Sequence, residues 1–243
     1  MLVKILVCVP CHNRKQITEL CVPTIAEGME RAPGRDILNL YNDGSDEYGQ
    51  SFLYGLGADN VAEMSPAIGI ERQRKIHFGD FNPDRFTHLY LTDADALHDP
   101  NWRYKALELQ NRYHGLPVCL YDTLAHSSLK GNTIADDPNH PVIVRRVAPG
   151  ISYLLTAEHV ARVMKAMPEL PAHWHWDWTT PAILGHQMII SRESHVDHIG
   201  LGGMHHPKDA GLDEGDRALN PTPFLVQLRA QVVGKLKRFD CGN

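Results

Sequence analysis

Two periods of apolar spacing alternate along the first half of the chain. Leu2 to Val9 (Leu-Val-Lys-Ile-Leu-Val-Cys-Val) is almost unbroken apolar and β-branched, as a strand buried on both faces of a parallel sheet requires. It stops at Pro10-Cys11-His12-Asn13-Arg14. From about Gln16 to Arg31 the pattern becomes helical, with Ile17, Leu20, Cys21, Ile25 and Met29 on one side and Pro23 inside. Asp36 to Tyr41 reads as a second strand, ending at Asn42-Asp43-Gly44-Ser45. A short strand is expected at Val61–Met64 and a helix over Gly69–Phe78. A strand from His88 then ends in Asp93-Ala94-Asp95, and a helix follows from Trp102 to His114. This β-α-β-α-β order predicts an α/β fold: a doubly wound, mostly parallel sheet with helices on both faces.

The second half is less regular. Strands are expected at Pro117–Asp122, Val142–Val147, Ile151–Leu155 and Val196–Ile199, with 125–140 as a long polar loop. Ala157–Met167 is an amphipathic helix with Thr156 as its N-cap; His159 stands where a capping box usually has Glu. A helix is expected to run from the Trp-rich segment His173–Trp178 to Ser191. Another covers Pro223–Phe239 and ends basic.

Ligands of doubly wound sheets bind beyond the carboxyl ends of the strands. Three strand ends here carry polar clusters that face one edge: Cys11 to Arg14, Asn42 to Ser45, and Asp93 to Asp95. Two carboxylates at i, i+2 on an extended chain share a face and repel unless a cation lies between them. Hard oxygen ligands of this kind suit Mg²⁺ or Mn²⁺; the competing reading is a polar turn. Asp43, followed by Gly and Ser, suits a nucleoside contact or an Asp-Gly turn. Arg72, Arg74 and Lys75 on one short helix suit a diphosphate or a solvated face. Asp177 sits among Trp174, Trp176 and Trp178, whose bulk raises a carboxyl pKa toward that of a general base. His205-His206 could bind a metal.

Composition narrows the classes. The 243 residues suffice for a sizeable core, with 43% hydrophobic and 22% charged residues and a net charge of −5, so no bulk basic field draws in nucleic acid or membrane. Five irregularly spaced cysteines predict reduced thiols in the cytoplasm. No apolar run spans a bilayer, and no signal peptide is expected. Cys8-Val9-Pro10-Cys11-His12 matches redox and haem-attachment patterns, but Cys8 lies within the strand pattern. No Gly-x-Gly-x-x-Gly or P-loop follows any strand, which argues against those modes of phosphate binding.

In combination, these marks resemble the GT-A-fold glycosyltransferases, most closely the inverting family 2 group. Val9 to Arg14 resembles that group's Pro-x-x-Asn-Arg. Asn42-Asp43-Gly44-Ser45 resembles its Asp-Asp-Gly-Ser. Gly69 to Lys75 resembles Gly-x-x-x-Ala-Arg-Asn, with Arg74 in register, Gln73 for Ala and Lys75 for Asn. Asp93-Ala94-Asp95 with Pro100 matches the Asp-x-Asp element. Trp176-Asp177 resembles the Glu-Asp pair that supplies the base.

The resemblance implies a GT-A domain over 1–243: a nucleotide-sugar half (1–115), an acceptor half (116–210) and a C-terminal segment (211–243). It implies a UDP- or GDP-sugar donor held by Pro10, His12, Asn13, Arg14, Asp43, Arg74, Asp93, Ala94 and Asp95. It further implies Mn²⁺ or Mg²⁺ on Asp95, Asp93 and His205 or His206, with Asp177 as base and Trp176 and Trp178 facing the acceptor. The acceptor is left open among a glycan, a small molecule and a modified DNA base. A nucleotide-sugar-binding module and a sugar nucleotidyltransferase on a related fold are the rival readings.

Overall fold

A computed structural model describes residues 2–30, 35–199 and 217–240. In the first half the apolar runs become strands β1 (Ile5–Cys11), β2 (Ile37–Asp43), β3 (Asn60–Met64) and β4 (His88–Thr92), with helices α1 (Lys15–Glu27), α2 (Gln50–Gly55) and α3 (Ile70–Gly79) between them. A short strand β5 (Ala96–His98) and helix α4 (Trp102–Arg112) follow. The second half holds β6 (Val118–Cys119), α5 (Leu124–Ser127), β7 (Thr133–Ala135), β8 (Val142–Arg145), β9 (Ser152–Thr156) and α6 (Ala157–Ala166). It ends with α7 (Trp176–Ile183), β10 (Met188–Ser191), β11 (Val196–His198) and α8 (Pro223–Asp240).

Nine strands form one sheet in the order β3-β2-β1-β4-β9-β6-β10-β8-β7. The pairs β3–β2, β2–β1 and β1–β4 are parallel. β9 enters antiparallel between β4 and β6. Burial explains the register: Ile5 to Val9, Leu38, Leu40, and Leu89 to Leu91 are all at most 1% exposed, so both faces of the central strands are covered. Cys8 is core and its thiol is pushed up to about 12 by burial, which leaves no thiolate for redox or metal chemistry. β11 and β5 form a separate two-stranded ribbon. No described helix is long and apolar enough to cross a membrane.

Several expectations change. Residues 188–191 are a strand, not the end of a helix reaching Ser191. The helix stops because Gly185 (φ 95) and His186 (φ 55) turn left-handed, and the β-branched pair Ile189-Ile190 then joins β6 and β8. The stretch 125–140 contains α5 and β7 rather than being all loop, and Gln50–Gly55 adds a short helix. Only two residues of Pro117–Asp122 are strand. The capping box at Thr156 is complete: Thr156 Oγ1 accepts from the His159 N–H, and His159 Nδ1 accepts from the Thr156 N–H. A neutral imidazole nitrogen does here what a Glu carboxylate usually does.

Candidate active site

The loop leaving β1 is held in an uncommon shape. Asn13 (φ 49) and Arg14 (φ 56) are consecutive left-handed residues without being glycine, a conformation that persists only where neighbours over-determine it. Asn13 Oδ1 accepts from Ser45 Oγ (3.0 Å) and the Asp46 N–H (3.1 Å), and the Tyr48 hydroxyl donates to Asn13 O (3.0 Å). His12 Nδ1 donates to the carbonyl of Asp43 (2.7 Å). The β1 and β2 ends are thereby tied, and the Arg14 guanidinium is delivered to Asp95 Oδ2 (2.8 Å). Asp43 in turn accepts from the N–H groups of Ile68 (2.6 Å) and Gly69 (2.9 Å), which fixes the start of α3.

Asp93 and Asp95 do not share a face of one strand. β4 ends at Thr92, and a turn closed by the Ala96 N–H on Asp93 O (3.3 Å) brings both acids to the same pocket. The turn reading holds, and the turn sets both acids on the cavity wall. Asp93 Oδ1 is bound by Arg74 (2.6 Å). Asp95 Oδ2 takes Arg14 and, across 103 residues of sequence, His198 Nε2 at 2.9 Å. Burial pushes the Asp93 carboxyl up, with Arg74 opposing it. Burial would raise Asp95 too, but His198 and Arg14 outweigh it and hold Asp95 well below the usual carboxylate range. At neutral pH Asp95 is an anion, and among the described residues its second oxygen has no hydrogen-bond partner.

The Trp-rich segment enters from the other half. His175 (φ 45) precedes α7, and Asp177 lies in its first turn. Burial raises the Asp177 carboxyl, while its own N–H and that of Trp178 act against the rise. Trp176 is buried (7% exposed), with its ring 4.2 Å from the Arg74 guanidinium carbon and edge-on to Tyr153. Gly150 makes this approach possible: a Cβ there would lie 2.5 Å from Trp176 Cζ2 and 3.1 Å from Asp177 Cβ. Gly150→Ala is therefore expected to cost about 1–3 kcal/mol through overpacking and to displace Asp177. Urea unfolding reads the first effect and turnover the second.

A cavity of about 520 Å³ joins these parts. Its wall includes Pro10, His12, Asn13, Arg14, Asp43, Asp93, Ala94, Asp95 and His198, together with Gln73 and Ile151. Ile151 follows Gly150, so Asp177 stands beside the cavity rather than on its wall.

No family model matches the chain, and no curated protein matches it in sequence. Solved structures do match in shape. S. aureus TarS 1-349 superposes with TM-score 0.57 at 9% identity, over 80% of this chain and 60% of that one; its complex with UDP-GlcNAc gives 0.54 at 13% identity. The mannosyltransferase PcManGT from Pyrobaculum calidifontis, in complex with GDP-Man and Mn²⁺, gives 0.52 at 13% identity over 77% of this chain and 56% of that one. This chain has the GT-A glycosyltransferase fold. It spans about 60% of the TarS 1-349 chain.

Within the GT-A frame, several expected residues fall elsewhere. Arg74 is fully buried behind Asp93, not on the cavity wall, so it supports the acid rather than reaching a diphosphate. Its helix neighbours do not join it: Arg72 is exposed, and Lys75 donates to Leu170 O (3.3 Å). Trp176 is a buried packing residue, leaving Trp178 (48% exposed) as the tryptophan able to face an acceptor. Arg229 of the basic C-terminal helix is buried on Asp197. His205 and His206 lie outside the described residues. Among the described residues no cluster of three or more His, Cys, Asp or Glu is arranged around a common metal position; Asp95 and His198 meet as a pair. His198 was not singled out from sequence, although its strand was. Its one signal was a polar residue in an alternating short strand. Gln73, on the cavity wall with Oε1 unpartnered, gave no signal beyond standing where the GT-A motif has Ala.

Proposed function

We propose that this chain is a glycosyltransferase, moving a sugar from a nucleotide-sugar donor to an acceptor hydroxyl with inversion. The observation that carries the reading is the meeting of Asp95 and His198 on the wall of a cavity that Asp43 also lines, with Asp177 beside it. TarS with UDP-GlcNAc and PcManGT with GDP-Man support a UDP- or GDP-sugar as donor.

In this reading Pro10, His12, Asn13 and Asp43 face the nucleoside. Asp93, Ala94 and Asp95 face the diphosphate. Asp95 and His198 would hold a divalent cation, with Asp93 reaching it through water. The donor set fits Mn²⁺ or Mg²⁺: among the described residues each carboxylate commits one oxygen to Arg74, Arg14 or His198 and has its second available. PcManGT with Mn²⁺ supports Mn²⁺. Such an ion supplies charge neutralisation for the departing diphosphate. Asp177 takes the proton of the acceptor hydroxyl as that oxygen bonds to the anomeric carbon. The bond from that carbon to the diphosphate breaks, and its electron pair leaves with the phosphate. A single displacement served by one base inverts the carbon. Trp178 presents an aromatic face for an acceptor ring.

Calorimetry with UDP, UDP-GlcNAc and GDP-mannose, each with and without Mn²⁺, tests this. One donor is expected to bind in the micromolar range with Mn²⁺, and Asp95→Asn to weaken it at least tenfold, since one cation ligand and the anion that pairs Arg14 are lost. Absence of binding by every donor tried, with metal present, overturns the reading.

A further inference from the structure

The contact between Asp95 and His198 is made outside the main sheet. β11 pairs antiparallel with β5, His198 opposite Ala96, and the Ile199 N–H on Asp95 O (3.0 Å) closes the ladder. Each strand of this ribbon is three residues long. A two-stranded ribbon of that length has little stability of its own, so whatever covers it sets where His198 stands.

The cover is α8. Leu225, Val232 and Leu236 pack with Leu97 and Ile199 of the ribbon. Inside this contact Arg229 is 7% exposed and Asp197 1%. One guanidinium nitrogen, Nη1, donates to Asp197 Oδ2 (2.8 Å) and to the main-chain carbonyl of His198 (2.7 Å). Asp197 Oδ1 accepts from the Ala218 N–H (3.0 Å). The backbone of His198 is thus held on one side by β5 and on the other by a charged donor, and charge-assisted bonds of this length are the strong ones. The clamp thereby limits where the ring of His198 meets Asp95.

We propose that Arg229 is a positioning residue: through Asp197 and the His198 carbonyl, the C-terminal helix sets the His198 ring against Asp95 and so tunes the site for a divalent cation. This rests on the cation site of the proposed function. A ligand's orienting partners typically change metal affinity by about 10–100-fold. A purely structural Arg229 would alter stability without acting through His198.

The test is Mn²⁺ affinity of the whole chain, read by electron paramagnetic resonance of the free ion, with near-ultraviolet circular dichroism as the fold control. His198→Ala and Arg229→Gln are each expected to weaken Mn²⁺ about tenfold. Arg229→Gln is expected to add less than about twofold in the His198→Ala background, because coupled residues are not additive. If Arg229→Gln leaves Asp197 unpaired and the protein unfolds, Asp197→Asn with Arg229→Gln removes both charges and enters the same comparison. An equal loss in both backgrounds, or unchanged affinity in a folded variant, overturns the proposal. So does unchanged affinity in His198→Ala, which leaves donor binding standing. A wild-type chain that binds no Mn²⁺ overturns it together with the cation site.

Discussion

Arg74→Met is expected to destabilise the protein by about 3 kcal/mol and to abolish metal-dependent nucleotide binding, as read by urea unfolding and by calorimetry on the folded fraction. Arg74 has no exposed surface. It bonds Asp93 at 2.6 Å, approaches Thr92 O at 3.4 Å and His77 Nδ1 at 3.2 Å, and lies over Trp176. Removing one member of a buried pair costs more than the pair contributes, because the remaining charge has no compensation. The figure is at the lower end of that range because the Asp93 side chain keeps 29% of its exposure. Arg74 is the strongest influence opposing the burial that raises the Asp93 carboxyl. Without it Asp93 takes up a proton at higher pH and loses its value as a ligand. Arg74→Lys keeps the charge and loses the planar stack on Trp176, so an intermediate loss is expected. An Arg74→Met protein as stable as the wild type would show that the Asp93 pair has no structural weight.

That pair also shows what spacing in a sequence conveys. The three polar strand ends converge as the β-α-β pattern required, because parallel strands joined by right-handed crossovers leave their carboxyl ends on one edge. Asp43, Asp93 and Asp95 were legible for that reason. Arg74 was legible as a position and not as a direction. A helix of ten residues shows every face somewhere, and only the packing of α3 against α6 and β1 decides that Arg74 points inward while Arg72 points out. Trp176 and Trp178 differ in the same way, one packed beside Gly150 and the other at the surface. His198 required a pairing between strands of three residues lying 103 positions from the acid it meets. No local pattern encodes a contact of that kind. It follows from Val196 and Ile199 finding the same apolar cluster edges as β5 and α8.

Asp177→Asn is expected to lower the rate of sugar transfer about 10²–10⁴-fold, the range a positioned general base contributes, while donor affinity stays within about threefold of wild type. The second half follows from geometry: Asp177 stands behind Gly150 and Ile151, off the cavity wall, so its carboxylate is not needed to hold a nucleotide. The first half has a sign that pH can check. Burial raises the Asp177 carboxyl above its ordinary range, its own and the Trp178 N–H groups pull it down, and Glu71 adds a smaller upward push. The base works as the carboxylate, so the wild-type rate should rise with pH through that raised value and then level off. Glu71→Gln removes the repulsion and should move the rising limb to lower pH. In Asp177→Asn the limb itself should vanish, leaving a low rate that is flat over the same range. A variant that keeps more than about a tenth of the rate falls outside the loss expected on removing a general base, and would remove Asp177 from the reaction while leaving Asp95, His198 and the donor cavity untouched.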